Sequence, residues 1–192
     1  MTNDIKIHEN KSFESVNYFE KKLTNIEFYK CKFKECDFTK CDLRGINFED
    51  CSFEDCNFSM TEIDGVGFRN AIFKGCKMLG IDFTKFNNLM FSFRFNSCIM
   101  DYCTFFGTKL KKTQFVNCSL KDVDFSETDL SSSLFTKSDL TRARFSNTIL
   151  EKADFRSAVN FSIDPESNKV KKAKFSAFQL EGLLDKYQLD IS

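Results

Sequence analysis

Proline occurs once and glycine seven times in 192 residues, so the chain lacks the punctuation that ordinarily separates helices and strands joined by tight turns. Tryptophan is absent and tyrosine occurs four times, against 25 phenylalanines; a core drawing on one flat shape so often points to internal repetition. The single histidine, His8, leaves His-assisted nucleophilic catalysis almost no foothold. No Gly-rich phosphate loop, HExxH or CxxC motif occurs, so nucleotide and zinc chemistry are not expected, no cofactor is implied, and the chain does not read as an enzyme. Neither charge predominates: 28 Lys and Arg balance 28 Asp and Glu. That balance gives no long-range attraction for nucleic acid or an anionic membrane, so neither is an expected direct partner. No apolar run approaches signal-peptide or membrane-span length. A cytoplasmic protein is the expectation, and its nine cysteines should then remain thiols.

What the chain does have is a period. From Phe13 every fifth residue is apolar through Tyr18, Leu23, Phe28, Phe33 and onward to Phe83, fifteen positions without exception. After a step of seven the series resumes at Met90 and runs through Phe95, Met100 and Phe105 to Phe155, fourteen positions, all apolar. Two residues before each centre lies a second class of small residues, such as Cys36, Ala71, Thr108, Ser133 and Ala153, and all nine cysteines fall in it. The other three positions of each five are mostly polar. Period 3.6 would be a helix and period two a simple strand; period five with two inward positions implies one short strand and one turn per repeat.

The units Cys36-Asp37-Phe38-Thr39-Lys40, Cys41-Asp42-Leu43-Arg44-Gly45, Ser138-Asp139-Leu140-Thr141-Arg142 and Ala153-Asp154-Phe155-Arg156-Ser157 resemble the pentapeptide-repeat family consensus of small, Asp or Asn, Leu or Phe, then two free positions. The resemblance implies an all-β fold, a right-handed quadrilateral β-helix with four repeats per twenty-residue coil and a short C-terminal capping or dimerisation helix. Charge supplies an independent check, because outward residues one coil apart become strand neighbours. At a separation of twenty there are twelve opposite-charge pairs, Glu14/Lys34, Glu49/Arg69 and Asp122/Arg142 among them, against three like pairs. At fifteen, the triangular alternative, the count is ten to seven.

The expected organisation is an N-terminal cap at 1–11, the repeat region at 12–158 with a kink or short loop at 84–89, and a C-terminal turn, helix and strand at 159–192. Around the slip, Phe86, Leu89 and Phe91 are candidates to project outward beside Phe106 as an apolar partner contact; packing over the joint of two half-solenoids is the alternative. Asp42, Glu62 and Asp82 form a uniformly acidic column, a possible acidic surface. Ser176 can cap a helix at about 177–187 whose Phe178, Leu180, Leu183, Leu184 and Tyr187 lie mostly on one side. Leu189-Asp190-Ile191 is a possible terminal strand.

The ordering of repeat block, Ile163-Asp164-Pro165-Glu166 turn, basic stretch and Leu-rich segment resembles the Qnr-type quinolone-resistance and microcin-immunity subgroup. That resemblance implies a homodimer through the C-terminal segment and a possible type II topoisomerase partner. The subgroup's DNA-like negative rod is a poor match for a chain of zero net charge with interleaved acids and bases. A structural or scaffold module with another protein partner is the competing expectation.

Overall fold

A computed structural model describes residues 5–86 and 93–190. The chain winds as a four-walled solenoid of parallel strands in two sheets, β1(Lys6–Glu9), β3(Ile26–Tyr29), β5(Asn47–Glu49) and β7(Gly67–Arg69) in one, and β2(Ser12–Glu14), β4(Lys32–Lys34), β6(Ser52–Glu54), β8(Ala71–Lys74), β9(Phe93–Asn96), β10(Gln114–Val116) and β11(Leu134–Thr136) in the other. The coil step is twenty residues, Phe13↔Phe33 and Phe33↔Phe53, and twenty-two across the slip, Phe73↔Phe95. The remaining walls are held by single-residue bridges such as Asn17↔Asp37↔Asn57 and Lys22↔Asp42↔Glu62.

Every described centre from Phe28 to Phe155 is buried. On the first wall Phe13, Phe33, Phe53, Phe73, Phe95, Phe115, Phe135, Phe155 and Phe175 form one column with ring centroids 4.6 to 5.4 Å apart. Between adjacent columns the contacts are edge-to-face, as for Phe33 and Phe48 at 5.8 Å and 77°. Offset stacking along the axis and T-shaped contact across it are the two arrangements the aromatic quadrupole favours. Burial contributes roughly 1.5–3 kcal/mol per centre, far more than any surface ion pair.

The small-residue position does more than save volume. Its hydroxyl or thiol donates to the carbonyl of the residue 23 positions earlier, in the coil below: Thr61 to Phe38 at 2.8 Å, Thr128 to Phe105 at 2.7 Å, Ser133 to Leu110 at 2.7 Å and Cys76 to Phe53 at 3.4 Å. Cys, Ser and Thr thus satisfy buried backbone acceptors that an aliphatic side chain would leave bare. The consensus Asp also acquires a reason. Asp37, Asp129 and Asp139 each accept the N–H two residues on, at 2.9, 3.1 and 3.0 Å. This Asx geometry bends the wall into its corner. The corner residue then lies in the left-handed region, as at Lys40, Met60, Tyr102 and Lys112 with φ of 53, 57, 63 and 61°, a conformation that costs a side-chain-bearing residue roughly 1–2 kcal/mol.

Three expectations are corrected. The N-terminal segment is already solenoid: β1 pairs with β3, His8 opposite Phe28, and the His8 ring stacks on Phe28 at 5.3 Å. Phe86 does not project outward; it is 6% exposed, packed edge-on to Phe83 and Phe68 at 4.9 and 5.4 Å. Winding does not end at 158. After an irregular stretch holding the buried Phe161 and Ile163, it resumes with Ile149↔Lys169 and Asp154↔Lys174, and Phe175 closes the phenylalanine column. The C-terminal helix is present in 3-10 form, as Ala177–Leu183, kinked at Gln179, and Asp185–Tyr187, with Ser176 accepting from the Phe178 N–H as its N-cap. Leu189 and Asp190 are in no strand, and Ile191 lies outside the described residues, as do Met90, Leu89 and Phe91.

Two substitutions separate these contributions in urea unfolding. Phe115→Ala, at the middle of the stacked column, is expected to cost about 3–5 kcal/mol. Thr128→Val keeps the volume but strips the donor from the Phe105 carbonyl, and is expected to cost about 1–3 kcal/mol. A neutral Thr128→Val would show that the small position selects size alone.

Candidate protein-binding surfaces

With Phe86 committed to the core, the apolar contact expected at the joint has a different composition. The Phe73↔Phe95 offset of twenty-two places Phe86 level with Thr108, in a small-residue slot. There it meets Phe93, at 5.8 Å, which fills the slot of Ala71 one level on. Of the four residues named from sequence, Phe106 alone is seen exposed, at 46%, while Leu89 and Phe91 are not among the described residues.

Three exposed side chains that the sequence reading missed lie near it in the winding. Met60 and Tyr102, 60% and 66% exposed, occupy the same corner of the second wall two levels apart, with Gly80 between them and nothing over its Cα. Ile99 precedes Tyr102 on that wall and is bridged to Lys77 and Ser119. Tyr102 and Phe106 belong to one coil. A scan of outward positions at twenty-residue spacing misses this corner, because Gly80 interrupts it and the step from Gly80 to Tyr102 across the slip is twenty-two.

The acidic column is real as a register but weak as a field. Asp42 and Glu62 are bridged neighbours. Asp42 accepts from the Arg44 guanidinium at 2.8 and 2.9 Å and from its backbone N–H at 3.1 Å, which hold its carboxyl down at about 2. Asp82 accepts the Thr84 N–H and hydroxyl at 3.0 and 2.6 Å. Two of the three carboxylates therefore serve their own turns. Seven of the twelve expected ladder pairs close to 4.0 Å or less, for example Lys34–Glu14 at 3.1 Å and Arg142–Asp122 at 2.7 Å. A surface so interleaved does not present a continuous negative strip.

At the C-terminal end the 3-10 segment docks on the last coil. The Ile163 N–H donates to the Gly182 carbonyl at 2.8 Å, and a Cβ on Gly182 would collide with the Phe161 carbonyl and ring. Lys186 pairs with Asp164 at 2.8 Å and with Glu166, and the Tyr187 hydroxyl donates to Glu166 at 3.2 Å. Of the five residues proposed from sequence for a dimer interface, Leu183 packs inward against the core. Phe178, Leu180, Leu184 and Tyr187 remain exposed, Phe178 at 93%.

No group of three His, Cys, Asp or Glu able to hold a metal is present among the described residues. Burial pushes the thiols of Cys41, Cys51 and Cys103 up to about 12, so they stay protonated. Among the described residues no helix is long and apolar enough to cross a membrane.

Two family models match the sequence, one described as a pentapeptide repeat region over residues 85–155 and one as pentapeptide repeats in nine copies over residues 28–72. No curated protein matches it. Among solved structures, one trypsin-treated variant of QnrB1, a plasmid-mediated fluoroquinolone resistance protein, is 13% identical, with 97% of this chain and 99% of that chain covered and a TM-score of 0.69. A second such variant is 15% identical, covering 94% and 100%, with a TM-score of 0.66. The likeness is one of fold.

The pairing of surface charges predicts an acid response. Hydrogen bonds from Arg44, Arg142 and Lys186 hold Asp42, Asp122 and Asp164 below the usual carboxylate range. Groups lowered by folding stabilise the native state above the unfolded value, near 4, and lose that contribution as pH falls through the folded values. Thermal melts should show a Tm that is level from pH 7 to about 5 and falls between about 4 and 2, less steeply in high salt. A Tm unchanged down to pH 2 would remove the pairs from the account of stability.

Proposed function

Because this chain belongs to the pentapeptide-repeat family, we propose that it is a non-enzymatic protein-binding solenoid that binds a type II topoisomerase, DNA gyrase, and protects it from quinolones or peptide toxins. The observation that carries the reading is the set of exposed apolar side chains Met60, Ile99, Tyr102 and Phe106 among outward positions that are mostly polar. Exposed aromatic and aliphatic anchors ringed by polar residues are the composition of a protein contact. The fold shared with a fluoroquinolone resistance protein supports this choice of partner. Because Asp42 is paired with Arg44 and Asp82 caps its own turn, the acidic column is a poor imitation of DNA charge, and the reading rests instead on apolar contact near Phe106.

The chain is further read as a homodimer through Phe178, Leu180, Leu184 and Tyr187, four apolar side chains left facing solvent at the solenoid end. A scaffold role with a different protein partner is the second reading, favoured by the zero net charge.

A supercoiling assay with gyrase and a quinolone tests the main reading: the protein should restore supercoiling, and Tyr102→Ala with Phe106→Ala should abolish protection while leaving the melt unchanged. Protection by neither form, with no binding to gyrase, favours the scaffold. For the dimer, light scattering should give twice the chain mass for the full protein and a monomer for Phe178→Ser with Leu184→Ser. A dimer unaffected by that pair would take the C-terminal end out of the interface.

A further inference from the structure

A net charge of zero conceals a separation by wall. Above the joint, one coil of the fourth wall carries Lys109, Lys111 and Lys112, and the coil three levels on carries Lys169, Lys171 and Lys172. The bridges Lys109↔Asp129, Asp129↔Ile149 and Ile149↔Lys169 put these rows in register, with Lys152 between them. All seven lysines are exposed. Asp129 and Glu151 are the carboxylates between these rows and Glu127 stands at the wall's other corner, so seven cations against three anions leave four positive charges in excess. Lys111 is paired, with Asp129 at 3.2 Å; among the described residues the other six have no carboxylate within 4.0 Å. At the joint end a cleft of 630 Å³ is lined by Arg94, Lys109, Lys111 and Lys112 together with Asp50 and Ile72.

We propose that the fourth wall above the joint binds the phosphodiester backbone of a nucleic-acid duplex without reading its sequence. Cations held on one wall attract a polyanion locally even when the whole chain is neutral, because charges on the far walls lie beyond or near a Debye length of about 8–10 Å. None of the large apolar side chains seen exposed lies in these rows. A protein partner wants a desolvated apolar centre; phosphates ask only for cations and small donors, and Ser132 lies between the lysine rows. Three coil steps of about 4.8 Å separate the rows by roughly 14 Å, close to the ~12 Å width of a duplex major groove, so each row can meet one strand. This surface is distinct from the apolar corner at Phe106 and does not depend on the topoisomerase reading.

The test is fluorescence anisotropy of the full chain with a labelled 20-base-pair DNA duplex and with labelled poly-glutamate, at 50 to 200 mM salt and without any topoisomerase. Neutralising about four phosphates gives a log–log salt slope of about −3.6, a loss of affinity of roughly 100-fold over that range. The variant Lys109→Gln, Lys112→Gln, Lys152→Gln, Lys172→Gln should weaken duplex binding at least tenfold and flatten the slope. The control Lys6→Gln, Lys30→Gln, Lys32→Gln, Lys77→Gln, which removes as many cations elsewhere, should change it by less than twofold. Absence of duplex binding at 50 mM salt, equal losses in the two variants, or tighter binding to poly-glutamate than to the duplex would each overturn the proposal.

Discussion

The structure depends on one contact made repeatedly: an inward side chain lying flat on its equivalent one coil away. Nine phenylalanines from Phe13 to Phe175 do this on the first wall without a break, and the parallel strand register of that wall is what holds their rings at stacking distance. Because each coil buries its apolar centre only against the coils above and below, stability is a sum of nearest-neighbour terms. Few other constraints are needed, which is why the chain manages with one proline and seven glycines. Left-handed corner geometry is imposed on ordinary residues such as Lys40 and Tyr102 by the winding itself.

Two polar devices make that winding compatible with buried backbone. The small inward residue donates to a carbonyl in the coil below, and the aspartate before a centre caps its own turn. The second device bears on function. Carboxylates engaged by their own turns or by arginines, such as Asp82 and Asp42, are not available as a free acidic surface. The same residue type is a structural acceptor on this solenoid before it is a charge.

The joint shows how the column absorbs a defect. Two additional residues enlarge one coil, and Phe86 and Phe93 turn inward into positions that elsewhere hold Thr or Ala. The aromatic residues that looked available to a partner are thereby consumed by the core, and the exposed apolar surface moves to Tyr102, Ile99 and Met60. At the far end the close approach of Gly182 to Phe161 seats the terminal 3-10 segment on the last coil and leaves Phe178 and Tyr187 facing solvent.

The architecture, the identity of nearly every core residue and the twenty-residue register were legible in the sequence, because inward and outward positions recur at a fixed spacing and burial tolerates few residue types. What the chain order did not show was which outward residues share a wall across the slip, where the coil step is twenty-two, nor which of them stand exposed. Successive repeats face four different directions, so neighbours in sequence are separated in space and residues twenty apart are brought together. The lysine rows of the fourth wall and the Met60–Tyr102 corner exist as surfaces only after that folding. The same holds for Phe86: its period marked it as a misfit, but only the enlarged coil, which sets it beside Phe93, decided that it points inward.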